Sequence, residues 1–345
     1  MDPRFPIVRA RVPLRLGLAG GGTDLSPYCD EHGGAVLNVT IDRYAYAFIE
    51  PSEDGMVHFI APDIGVEESF QPDIGAIADA KLRLHAGVLR RMAVQYGGGR
   101  VTPMRITSFV DAPAGSGLGS SSALVVALVE AFRFYLGLPL GRYDVAHTAF
   151  EIERLELHLA GGKQDQYAAC FGGANFIEFL AENRVIVNPL RVPSAVLNEL
   201  ETSTVICFTG VSRRSEQIIE DQQRRMSGPG KQLDNLHQLK ADALHMKEAL
   251  LRGEIGRMAE LLNRSWEAKQ RTAAGISTEL IETMYARAMS AGATGGKVSG
   301  AGGGGFLMFL VPPPRRMQLI QALNSAGGTA TGVHFTAEGA ESWSV

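Results

Sequence analysis

The chain is poor in cysteine, with Cys29, Cys170 and Cys207 far apart among 345 residues. An odd, scattered set excludes a disulfide framework and paired-cysteine metal sites, and it suits a reducing compartment. Long apolar runs are also missing. No stretch approaches the roughly 18 apolar residues of a membrane-spanning helix, and the opening MDPRFPIVRA lacks the apolar core of a secretory leader. Neither sign of charge dominates. Thirty-three Lys and Arg against 37 Asp and Glu leave a formal net charge of −4, which does not favour a nucleic-acid ligand. Repeats and low-complexity tracts are absent. With 45% hydrophobic and 20% charged residues, a cytoplasmic enzyme or binding protein of two globular domains is expected.

Glycine is in excess. Forty glycines are present, grouped at 20–22, 33–34, 97–99, 115–119, 161–162, 172–173, 295–296 and 300–305. Clustered glycine marks backbone that turns sharply or approaches something closely, and several such loops suggest a phosphate-bearing ligand. Two common phosphate loops are excluded. Gly162-Lys163 and Gly296-Lys297 are followed by Gln164 and Val298, not by the Ser or Thr of a Walker A loop. Gly300, Gly302 and Gly305 satisfy G-x-G-x-x-G, but they open a strand, FLMFLV, where a dinucleotide fingerprint opens a helix.

The loop PAGSGLGSSSA, Pro113 to Ala123, has the right context. It leaves a strand at 104–111 and enters an apolar helix that ends near Gly137. Its N–H groups and the helix N-terminus make an anion cradle. Three serines behind three glycines exceed what an N-cap needs. Around it, strands are expected at 7–18, 35–50 and 56–61, helices at 76–96 and 142–158, and a hairpin at 174–180 and 184–188. A domain boundary is placed near 190–203. Beyond it come a strand at 204–210, helices at 214–224, 232–252, 254–270 and 278–291, a strand at 306–311 and a closing helix–strand pair. Strands and helices segregate into two α+β halves.

P-x-x-x-G-L-G-S-S-S-A resembles the phosphate-binding motif of the GHMP kinase superfamily, which includes galactokinase, homoserine kinase and mevalonate kinase. RVPLRLGLAGGGTD (11–24) resembles the family's N-terminal motif, and KVSGAGGGGFLMF (297–309) its C-terminal glycine loop. The resemblance implies a two-domain α+β fold, with a ribosomal-protein-like domain over 1–195 and a ferredoxin-like domain over 196–345. It implies ATP on Pro113, Gly115, Ser116, Gly117, Leu118, Gly119, Ser120, Ser121 and Ser122. Asp165, in GGKQDQ, would accept or orient the acceptor's hydroxyl proton, with Arg15 beside it. Glu153, twelve residues before Asp165, and Ser121 would hold Mg²⁺ through hard oxygens; Glu151 and Glu156 are assigned to a solvated face. Gly20, Gly21, Gly22, Thr23 and Asp24 would line the acceptor pocket, and Gly300, Ala301, Gly302 and Gly303 would close over it. Lys163 is left between a phosphate contact and a solvated loop. The adenine pocket is expected along 60–75 and the helix that follows.

Galactokinases read an EHTD-type segment where this chain has GGTD, so galactose is not the expected acceptor. The N-terminal motif, GGKQDQYAA and SWEAKQ together resemble one branch, the D-glycero-D-manno-heptose 7-phosphate kinases, with fucokinase domains close by. That branch implies transfer to the anomeric C1 hydroxyl, giving a 1,7-bisphosphate for nucleotide-activated heptose and surface polysaccharide. Arg213 and Lys269, with Arg214 and Arg271 nearby, are the cations expected to meet the distal phosphate. Two alternatives stay open: a kinase of a free hexose such as fucose or mannose, and a catalytically silent sugar sensor. The expected partners are a sugar phosphate and ATP, without nucleic acid or membrane; a homodimer is compatible with the reading.

Overall fold

The computed structural model describes residues 6–212, 215–226 and 231–345. Among them, an eight-stranded and a four-stranded sheet carry the two halves. The first sheet contains β1 (Val8–Ala19), β2 (Gly34–Pro51), β3 (Val57–Ala61), β4 (Val66–Phe70), β5 (Met104–Val110), β6 (Ala174–Phe179) and β7 (Val185–Pro189). Along β1 the even positions Val8, Ala10, Val12, Leu14 and Leu16 are buried, the period of two that a strand imposes. The pairing of β1 with β2 shifts between Pro13 and Leu14, and such an irregularity bends a strand and re-aims its side chains. Arg9 before it is exposed; Arg15 beyond it is 4% exposed.

The helices of this half are α1 (Tyr28–His32), α2 (Arg83–Tyr96), α3 (Ser120–Tyr135), α4 (Arg142–Phe150) and α5 (Gln164–Phe171). Helix α3 is apolar on nearly all sides, packs on β1 and β2, and has its central residues buried, as a helix inside a core requires. The helix expected at 76–96 begins at Arg83; before it, Ile77 is buried from a turn and Leu82 from the N-cap. The helix expected at 142–158 is α-helical only to Phe150. Glu151–Glu156 then form a π-helical turn, a distortion often found at functional sites.

The second half follows α6 (Ser194–Ser203). Its sheet has the order β11-β8-β10-β9, from β8 (Thr204–Phe208), β9 (Gly295–Val298), β10 (Phe306–Leu310) and β11 (Thr329–Gly332). Helices α7 (Ser215–Met226), α8 (Lys231–Arg252), α9 (Ile255–Gln270), α10 (Glu279–Ser290) and α11 (Arg316–Ser325) accompany it. No helix among the described residues is long and apolar enough to cross a membrane.

The chain does not stay in this half. A further strand, β12 (Glu341–Ser344), pairs antiparallel with β1 and completes the first sheet. The expected domain 196–345 therefore gives up its last strand. The physical reason is the edge: without β12, β1 would present a row of unpaired backbone groups. Buried Glu130 on α3 fastens the returning strand, accepting from Ser342 Oγ at 2.6 Å and from Arg133 Nη2 at 2.7 Å.

The two glycine loops press backbone on backbone. The Gly117 carbonyl accepts from Ser299 Oγ at 2.9 Å and from Arg15 Nη1 at 2.7 Å, and the Phe306 amide donates to the Ser116 carbonyl at 2.8 Å. A Cβ on Gly117, whose φ is +85°, would overlap the Ser299 carbonyl. Gly117→Ala is therefore expected to cost about 2–5 kcal/mol, from left-handed strain plus overpacking. Urea unfolding checks this, and a loss under 1 kcal/mol would mean that the loops slide apart freely.

Candidate active site

A cleft of about 620 Å³ runs between the halves, walled by both glycine loops, the π-helical turn, Asp24, Asp165 and Lys269. Its electrostatics begin at α3. Gly119, with φ 76°, occupies the N-cap; no side chain caps this terminus and its first turn holds no acid. The orphan N–H groups of a helix start thus face a cleft with no protein carboxylate on the helix to quench them, which is an anion site. Gly115, Gly117, Gly119, Ser120, Ser121 and Ser122 line the cleft. Pro113, Ser116 and Leu118 shape the loop from behind: the Pro113 carbonyl accepts from Ser120 Oγ at 3.4 Å and from the Ser116 amide at 3.1 Å, and the Leu118 carbonyl accepts from the Arg15 amide at 3.1 Å.

The π-helical turn delivers Glu153, which is 1% exposed. Ser121 Oγ donates to its Oε1 at 3.0 Å, Ser122 Oγ and Gln166 Nε2 donate to its Oε2 at 2.7 Å each, and Arg154 Nη1 lies 3.2 Å from Oε1. Burying a carboxylate demands such partners. Ser121 is exposed and Glu153 lines the cleft beside it. One carboxylate and one hydroxyl next to a phosphate site fit Mg²⁺, which takes few protein oxygens and keeps waters and phosphate oxygens as its other ligands. No cluster of three or more acidic, His or Cys ligands for an all-protein cage occurs among the described residues.

At the acceptor end, Asp165 sits in the first turn of α5, where the helix dipole favours its charge. Arg15 grips it: Nε donates to Oδ1 at 2.7 Å, and Nη2 lies 2.6 Å from the same oxygen. The virtual Cβ position of Gly119 is 3.3 Å from Asp165 Cγ, so the carboxylate stands against the phosphate loop. Asp24 is buried and accepts from the Gly22 amide, the Gln164 amide and Gln164 Nε2, each at 3.1 Å. Gly162 packs on that carboxylate and has no room for a Cβ.

Of the GGGTD residues, Gly22 and Asp24 line the cleft. The Gly21 carbonyl accepts from Lys269 Nζ. Thr23 and Gly20 do not line it. The Thr23 hydroxyl is spent on the Gly20 and Ala35 carbonyls at 2.8 and 2.9 Å, and Gly20 packs on Ala35. Gly300 and Ala301 reach the cleft, whereas Gly302 and Gly303 pack on Ile276 behind it. Lys163 turns away from the phosphate loop to Asp30 at 3.1 Å. No residue of 60–75 lines the cleft; Arg83, at the start of α2, does. Arg213 and Arg214 lie outside the described residues.

Some groups were not legible beforehand. Gln164 and Gln166 flank Asp165 and brace Asp24 and Glu153 respectively; both stood in GGKQDQ, but only the acid drew notice. Arg154 ties Ser122 Oγ (3.2 Å) to the Gly162 carbonyl (3.2 Å), joining the phosphate side to the acceptor side. Lys297 is buried with its Nζ on the Gly17 carbonyl at 2.7 Å, and burial pushes its pKa well below the usual lysine value.

The sequence matches the family models for the GHMP kinases N terminal domain over residues 83–173 and GHMP kinases C terminal over 246–329. It is 42% identical over 338 residues to D-glycero-alpha-D-manno-heptose 7-phosphate kinase from Campylobacter jejuni, covering 98% of this chain and 99% of that protein. The chain belongs to the GHMP kinases. A solved structure of this family, a D-glycero-D-manno-heptose 1-phosphate kinase from Bacteroides thetaiotaomicron, superposes with a TM-score of 0.83 at 40% identity, covering 98% of this chain and 99% of that one. The L-fucokinase/L-fucose-1-P guanylyltransferase of Bacteroides fragilis is 26% identical over 81% of this chain but only 32% of that protein. As in any GHMP kinase, ATP is the phosphoryl donor here. Glu153→Gln is expected to raise the half-saturating Mg²⁺ concentration for turnover tenfold or more. An unchanged Mg²⁺ titration would put the metal on other ligands.

Proposed function

We propose that this GHMP kinase transfers the γ-phosphoryl group of ATP to the anomeric C1 hydroxyl of D-glycero-D-manno-heptose 7-phosphate, forming the 1,7-bisphosphate that leads towards nucleotide-activated heptose and surface polysaccharide. The observation that carries the reading is the placement of Asp165, held by Arg15 and set against the start of α3. A base and an anion cradle in contact leave the acceptor hydroxyl beside the γ-phosphate, the positioning on which phosphoryl transfer depends.

The triphosphate rests on the N–H groups of the 115–122 loop. Ser121 and Glu153 would hold Mg²⁺, which would offset phosphate charge. Arg15, donating to Asp165 Oδ1 at 2.7 Å, holds that carboxylate towards the acceptor. As the sugar oxygen bonds to the γ-phosphorus, its proton passes to Asp165, the bond to the β-phosphate oxygen breaks, and ADP leaves. Asp24, its charge dispersed over three N–H donors, fixes Gln164 and the GGG turn around the sugar. Gly300 and Ala301 close the cleft from the other half. Arg213 is the cation assigned to the distal phosphate.

Turnover is to be measured with ATP and Mg²⁺ on the heptose 7-phosphate, mannose, fucose and galactose. The heptose phosphate should exceed the free sugars at least tenfold in kcat/KM, and Asp165→Asn should lower kcat about 10²-fold or more. Arg213→Ala should raise KM for the sugar phosphate and leave that for free sugars alone. A free hexose as best substrate would replace the acceptor and retire the Arg213 assignment. Binding without turnover on any sugar would favour the silent sensor.

A further inference from the structure

Lys269 enters the cleft from the last turn of α9, in the half opposite Arg15 and Asp165. Its residue is 5% exposed. Among the described residues its ammonium meets one hydrogen-bond acceptor, the Gly21 carbonyl at 3.3 Å. An ammonium has three N–H donors, so two remain uncommitted at the wall of the cleft. Burying a charge with one weak partner is costly, and a buried group left so poorly satisfied calls for an explanation. The charged groups that face it are Asp24 and Asp165, which favour its charge, and Arg15, which opposes it. Lys297 lies on the same side and is itself affected by Lys269. These are the groups of the reacting end. A role at a remote phosphate does not suit this position.

We propose that Lys269 is a catalytic residue of the acceptor site, donating N–H bonds to the reacting sugar hydroxyl from the side opposite Asp165. The assignment rests on the sugar-kinase reading above. As the sugar oxygen forms its bond to the γ-phosphorus, the hydroxyl proton goes to Asp165 and the bond to ADP breaks. Lys269 keeps its proton throughout and offsets charge on the entering oxygen and the transferred group. It also supplies that charge from the C-terminal half, so the acceptor is gripped from both sides of the cleft.

The requirement for a protonated amine has a pH signature. Burial lowers the Lys269 pKa to about 8. Below that value the ammonium is present; as pH rises through it the charge is lost, and kcat/KM for the sugar falls. Bound ATP adds negative charge nearby and raises the pKa. The basic limb should therefore lie near pH 8 at subsaturating ATP and move upward at saturating ATP. Lys269→Met should lower kcat/KM for the sugar about 10²-fold, keep KM for ATP within threefold, and abolish the limb. Lys269→Arg, which stays charged, should recover part of the activity and carry the limb beyond pH 9. Thermal melting of both variants separates chemistry from unfolding, since removal of a buried charge should not lower Tm. A limb that persists near pH 8 in Lys269→Arg would overturn the proposal. So would a loss under threefold in Lys269→Met, or one confined to KM for ATP. Absence of turnover by the unaltered enzyme on every sugar would instead sink the kinase reading beneath it.

Discussion

The arrangement depends on one carbonyl. Gly117 C=O takes a hydrogen bond from Arg15 in the first sheet and another from Ser299 in the second half. Those two bonds set the phosphate loop, the arginine that holds the base, and the C-terminal glycine loop in one fixed relation. Glycine is needed because the contact is backbone against backbone: Gly300 lies so close that a Cβ there would come 2.6 Å from the Gly117 Cα. Side chains between the loops would widen the cleft and separate the groups that act together.

From that point the charges divide into two systems. On the phosphate side, an uncapped helix start and a buried carboxylate, Glu153, face one another across the serines. On the acceptor side, Asp165 and Asp24 are each held by donors from a different segment. Arg154 bridges the two through Ser122 and the Gly162 carbonyl. Among the described residues, Lys269 has one weak bond, whereas Glu153, Asp24, Asp165 and Arg15 each have two or more polar contacts. Such saturation keeps the geometry fixed before substrate arrives, when reorganisation would otherwise cost rate.

Much of this was legible in the sequence because it is written locally. A strand, a Gly/Ser loop and an apolar helix are neighbours in the chain, so the phosphate loop and α3 could be located from residues 104–137 alone. Asp165 and Glu153 were expected from the family resemblance, through GGKQDQ and the acid twelve residues before its aspartate. What escaped depends on contacts between distant residues. Thr23 looked like a pocket residue, but its hydroxyl satisfies Gly20 and Ala35 carbonyls that only the fold brings near. Gly302 and Gly303 belonged to the right motif yet turn to Ile276. The π-helical turn after Phe150 has no signature in a run of ordinary helix formers. Nothing in ESWS announced a strand bound for β1.

That last pairing has a consequence for how the chain is made. The first strand of the protein finds its outer neighbour only in residues 341–344, and the Val345 amide bonds to the Ile7 carbonyl at 3.1 Å. During synthesis β1 emerges long before β12 and waits for it with that edge bare. Loop closure over such a separation is slow relative to local helix formation, and exposed strand edges recruit other chains. Nascent or truncated forms lacking the last few residues should therefore be more prone to associate through β1 than the finished protein, even though every group in the cleft is already encoded upstream.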